Sequence, residues 1–137
     1  MIKLVYGPKG FGKTKIIKDN VNAAAKEAKG NVVFITDEKL YSVDIDLNVK
    51  CIFTEEYKVQ CVCCFAGFVQ GLIAGNSDIE HIFIDGIKRI TGESDLAKYE
   101  QMFADLKKIS DENHVDIELT ISADKAELPK FMLDFIA

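Results

Sequence analysis

Three glycines, two lysines and a threonine share one short stretch, Gly7-Pro8-Lys9-Gly10-Phe11-Gly12-Lys13-Thr14, at the spacing G-x-x-x-x-G-K-[ST]. The chemistry that spacing serves is the cradling of a polyphosphate. Gly7, Gly10 and Gly12 admit backbone angles closed to other residues and let main-chain N–H groups approach an anion without a side chain in the way. Unpaired N–H groups at the start of the following helix, with its positive dipole end, attract the same anion. Lys13 is then a point charge for the outer phosphates. The Thr14 hydroxyl completes a magnesium site shared with the nucleotide.

A second stretch supplies a carboxylate. His81-Ile82-Phe83-Ile84-Asp85 is an apolar run ending in Asp, as in a buried strand that delivers one acidic group to a site at its end. Asp85 is expected to hold a water on the magnesium ion near Thr14. Arg89, the sole arginine of the chain, lies four residues further on in the expected loop Gly86 to Gly92. If any arginine meets phosphate charge in cis, it is this one.

With Ile2, Leu4, Val5 and Tyr6 before the glycine stretch and a helix opening at Lys13 after it, the sequence resembles the P-loop nucleoside triphosphatases. More narrowly, it is similar to a group of short bacterial ATP-binding proteins often labelled after the twitching-motility retraction ATPase. The resemblance implies a three-layer α/β/α fold with a mainly parallel sheet of about five strands. It implies ATP with magnesium as ligand, residues 7–14 on the nucleotide, Thr14 and Asp85 at the metal, and Lys13 and Asp85 in catalysis; Arg89, as the sole arginine, is the added catalytic candidate.

Departures from the family's pattern bear on the reaction. Gly86 follows Asp85, where the strand-catalysis branch commonly carries a glutamate that activates water, and Lys88 stands where the GTPase switch has a glycine. No Asn-Lys-x-Asp for guanine is present, and Ser122-Ala123 is only faintly similar to a supporting guanine motif. The expectation is an ATPase with slow or partner-dependent hydrolysis. Two alternatives stay open. One is a small-molecule kinase with Asp37 or Glu38 as base for an acceptor hydroxyl; the other is a nonenzymatic protein whose 86–92 loop answers to nucleotide.

The elements that must position these groups follow from hydrophobic period. Ile17, Val21, Ala24, Ala25 and Ala28 recur at three and four residues, predicting a helix over 13–29 that Gly30 stops. Val32 to Ile35 is a continuous apolar run, a strand covered on both faces and ending at Thr36-Asp37-Glu38. From Tyr41 to Phe53 apolar residues fall at every second position, which predicts extended structure broken near Asp46-Leu47-Asn48, with Val49 to Phe53 the better strand before Glu55 and Glu56. Val62 to Ile73 reads as a helix closed by Gly75. Ser94 reads as the N-cap of another, carrying Leu96, Tyr99, Met102, Phe103, Leu106 and Ile109. Val115 to Ser122 alternates apolar with polar and is expected to be a half-exposed edge strand; Pro129 starts a final helix whose Phe131, Met132, Phe135 and Ile136 cap the core.

Composition bounds the rest. A chain of 137 residues, 48% hydrophobic and 28% charged, is expected to form one globular domain over 1–137. Its net charge of −5 argues against a nucleic-acid surface, which must neutralise many phosphates. The apolar stretch Cys61 to Ala74 is too short to span a bilayer and carries Gln70, so a cytoplasmic protein without membrane insertion is expected. Of cysteines 51, 61, 63 and 64, Cys63 and Cys64 are adjacent and without metal-ligand spacing, and Cys61 with Cys64 would need Cys51, His81 or His114 from afar to complete four zinc ligands, so they read as packing thiols. A protein partner or oligomer is compatible with all of this.

Overall fold

A computed structural model of the chain describes residues 1–136. Strand β1 (Ile2–Gly7) leads through the glycine loop into α1 (Lys13–Glu27), followed by β2 (Asn31–Thr36), β3 (Lys50–Phe53), α2 (Val62–Gly75) and β4 (Ile79–Ile84). A short helix α3 (Ile87–Thr91), then α4 (Glu100–Asn113), β5 (Asp116–Ser122) and α5 (Lys130–Leu133), complete the chain. The strands form one five-stranded sheet, order β1-β5-β4-β2-β3, and every pairing is parallel. The fold is α/β.

Helices lie on both faces, because strand side chains alternate and each face must be covered. Leu4, Val33, Ile35, Ile82, Ile84, Ile117 and Leu119 pack with Phe65 and Val69 of α2, Phe103 and Leu106 of α4, and Met132 of α5. The opposite face is smaller, with Val32, Phe34 and Phe83 packed against Ile17 and Val21 of α1. No helix among the described residues is long and apolar enough to cross a membrane.

Strand β5 corrects the expected edge position. It lies between β1 and β4, and its residues from Ile117 to Ile121 are buried. The polar half of its alternation faces inward work: Glu118 accepts from Asn20 of α1 at 2.7 Å and pairs with Lys3 at 3.4 Å, and Thr120 reaches Asp85. Buried polar groups keep such places when they are hydrogen-bonded. The true edges are β1 and β3.

Four further expectations change. Extended structure is confined to Lys50–Phe53; Lys39–Ser42 forms a 3-10 turn and Asp44 has φ of 70°, which breaks the alternating run early. The 86–92 segment is the helix α3 with Gly86 and Gly92 as its caps, not a loop. Asp95, not Ser94, caps the helical segment before α4, its carboxylate accepting from the Ala97 N–H at 3.1 Å. Helix α1 ends at Glu27, before Gly30, because Ala28 already turns to extended backbone.

Candidate functional site

In a parallel sheet the ends of the strands and the starts of the following helices meet on one side, and the chemistry-bearing residues gather there. β1 ends at Gly7 and the loop feeds Gly12, whose φ of 87° lies in the left-handed region that favours glycine, directly into α1. Lys13, the first helical residue, is only 8% exposed, and its Nζ donates to the Pro8 carbonyl at 2.9 Å. Burial pushes its ammonium below the ordinary lysine range; the Asp85 carboxylate acts against that, while the charges of Arg89 and Lys88 reinforce it.

Thr14 and Asp85, 71 residues apart in sequence, are joined by a hydrogen bond of 2.9 Å from the threonine hydroxyl to Oδ2. Asp85 is 1% exposed. Its other oxygen accepts from the Thr120 hydroxyl at 2.7 Å, and that hydroxyl in turn accepts from the Gly86 N–H at 2.8 Å. The carboxylate is therefore held at both oxygens. Its two threonine partners lie on α1 and β5.

Arg89, on α3, turns back over the same carboxylate. Nη2 lies 3.4 Å from Asp85 Oδ2, Nε lies 3.1 Å from Asp37 Oδ1, and the guanidinium covers the Tyr41 ring at 3.9 Å from its centre. This packing explains Gly86. Its φ is 85°, and a Cβ there would run into the Arg89 guanidinium.

These groups line a cleft of about 530 Å³ that includes Lys9, Lys13, Thr14, Tyr41, Asp85, Lys88, Arg89 and Thr120. Among the described residues of its wall, four cations face one carboxylate, in a chain of net charge −5. Such a cleft concentrates anions. Gly10 and Gly12 lie in the wall as expected, whereas Gly7, Pro8 and Phe11 of the same loop do not; Phe11 is largely exposed, its ring against Gly7.

Asp37 and Glu55 border a smaller cavity of about 240 Å³, which shares Arg89 with the larger cleft. Glu55, at the exposed rim, is pushed above the usual carboxylate range by partial loss of hydration and then by the carboxylates of Glu38 and Asp37. Neither Glu55 nor Glu56 lines the larger cleft.

Sequence reasoning missed Lys88, Thr120 and Tyr41. Lys88 donates to the Ser122 carbonyl at 2.6 Å, which draws its ammonium across the end of β5. A helical period through 87–91 would have placed Lys88 one turn from Asp85, but five residues are too few for a period to show. The chain matches no family model, and no curated protein matches it.

Proposed function

We propose that the protein binds ATP with magnesium in the cleft between the 7–14 loop and Asp85, as a P-loop nucleotide-binding protein whose hydrolysis is slow or depends on a partner. The observation that carries this reading is the Thr14–Asp85 hydrogen bond at the floor of a cleft lined by Lys9, Lys13, Lys88 and Arg89. A hydroxyl and a carboxylate in contact are oxygen donors of the kind magnesium takes, directly or through water. The cations and the start of α1 suit a polyphosphate.

Thr14 would bind the ion directly and Asp85 through water, each exchanging its present hydrogen bond for that role. Magnesium, when bound, neutralises charge on the phosphate oxygens. Lys13 leaves the Pro8 carbonyl for the outer phosphates, and Lys88 stands across the cleft as a second cation. Thr120 keeps Asp85 aimed, by donating to one oxygen while the other faces the ligand. Asp85 is the sole carboxylate among the described residues of the cleft wall, and it is committed to the metal. A general base for water is thus missing from the wall, which supports slow turnover. Adenine is assigned because the guanine-reading motif is absent from the sequence.

One observation favours a second reading, a small-molecule kinase: the smaller cavity carries Asp37 and touches the phosphate cleft at Arg89. Asp37 is occupied by Arg89 at 3.1 Å, so it becomes a base only once that pair opens.

The test is calorimetric titration with ATP, ADP and GTP, with and without magnesium, followed by phosphate release from the same samples. ATP binding that needs Lys13 supports the assignment; equal binding by Lys13→Ala overturns it. Turnover that appears only with an added hydroxyl metabolite, and is lost in Asp37→Asn, selects the kinase.

A further inference from the structure

At the start of α2 three cysteines fall within four residues, Cys61, Cys63 and Cys64, and the fold sorts them. The Sγ atoms of Cys61 and Cys63 lie 3.1 Å apart. Cys64 is turned the other way, its thiol directed to the Cys61 carbonyl at 3.3 Å. Cys61 sits just before the helix in extended conformation (φ −143°, ψ 157°), which lets its side chain reach forward to the second helical residue. Cys63 is exposed and Cys61 half-buried, so the pair opens to solvent. A purely packing role does not account for an exposed thiol facing another thiol.

We propose that Cys61 and Cys63 form a reversible redox site, closing to an intrachain disulfide on reaction with a low-molecular-weight disulfide such as oxidised glutathione. The step balances. The Cys63 thiolate attacks one glutathione sulfur, the glutathione S–S bond breaks and a glutathione thiolate leaves, giving a mixed disulfide on Cys63. The Cys61 thiolate then attacks the Cys63 sulfur, forming the Cys61–Cys63 bond and expelling the second glutathione thiolate. Two cysteine sulfurs are oxidised by one electron each, oxidised glutathione takes both electrons, and the two protons lost by the cysteines end on the two glutathione thiols. The sulfurs need approach by only about 1 Å to reach bonding distance. The second step therefore outruns the accumulation of the mixed disulfide.

The position gives the bond a consequence. Gln60 and Val59, directly before Cys61, line the smaller cavity that shares Arg89 with the phosphate cleft. A ring through residues 61–63 fixes the turn on which that wall ends.

The experiment is intact-mass and peptide mapping of the full chain after equilibration in glutathione buffers of increasing oxidised fraction, with iodoacetamide trapping. The expected product has lost two hydrogen atoms, carries no glutathione and leaves Cys51 and Cys64 alkylated. Cys64→Ser should oxidise as the parent does, and Cys63→Ser should yield glutathione adducts without a ring. Accumulated adducts on the parent chain, or a ring that forms as readily in Cys63→Ser, overturn the proposal. All these cysteines are exposed or half-buried, and a melting curve confirms that each variant is folded before it is scored.

Discussion

Arg89 and Thr14 meet on one atom: Oδ2 of Asp85 accepts the threonine hydroxyl at 2.9 Å and lies 3.4 Å from the arginine Nη2. A guanidinium thus occupies space beside the oxygen that the proposed function gives to a metal-bound water. On its other side Arg89 is in contact with Asp37 and the Tyr41 ring. The arginine acts as an internal counter-cation.

Competition between these cations predicts the effect of Arg89→Gln. The magnesium concentration that half-saturates nucleotide binding should fall roughly threefold, on the order of 0.7 kcal/mol for a partly exposed pair. Magnesium titrations at fixed nucleotide read this directly. An unchanged requirement would remove the competition, and a rise would show that the guanidinium assists ligand binding instead of competing with the ion.

Lys13 and Lys88 should separate in magnitude. Lys13 is buried at the loop and, on the proposed reading, would become a desolvated pair with phosphate, so Lys13→Ala should cost about 2 to 5 kcal/mol of ATP affinity. Lys88, tied to the Ser122 carbonyl, should cost about 1 kcal/mol in Lys88→Ala, as expected of a more screened cation. Calorimetry on the two variants decides; equal losses would mean that the loop does not dominate the phosphate contact.

The loop and its flanks were legible in the sequence because their signals are local. Fixed glycine spacing, an apolar run before it and a helical stripe after it sit within the first 28 residues. What stayed hidden depends on contacts between distant segments. Glu118 and Thr120 alternate with apolar neighbours as exposed residues do, yet their partners, Asn20 and Asp85, come from α1 and the end of β4. Periodicity records which residues share a face and is silent on whether another element covers it. Arg89 was legible as a lone cation near Asp85, but its pairing with Asp37 spans 52 residues. The alternation of Tyr41, Val43 and Ile45 predicts a strand; the 3-10 turn at 39–42 instead sets the Tyr41 ring under Arg89.

Thr120 offers a stability test of the buried network. Thr120→Val keeps shape and removes the hydroxyl, leaving Asp85 Oδ1 and the Gly86 N–H without their partner. Each orphaned group costs about 1–3 kcal/mol, so a loss of roughly 2 to 6 kcal/mol is expected in denaturant unfolding. Thr120→Ser, which restores the hydroxyl, should recover most of it. A valine variant as stable as the parent would mean that water replaces the hydroxyl and that β5 does not hold the carboxylate.

On the proposed reading, the lowered pKa of Lys13 would give nucleotide binding a pH dependence of definite sign. In the free protein burial, with Arg89 and Lys88, moves the ammonium below its ordinary 10.5, while Asp85 opposes the shift. A bound polyphosphate favours the charged form, so the pKa rises on binding and a proton is taken up wherever pH lies between the two values. Affinity should be level below the free-protein pKa. It should then fall as pH rises through that value, by at most about tenfold per pH unit for one proton. Calorimetry in two buffers of different ionisation enthalpy measures the uptake, and Lys13→Ala should abolish it. Proton release over this window, or an uptake that survives in Lys13→Ala, would place the titrating group elsewhere and remove Lys13 from the phosphate contact.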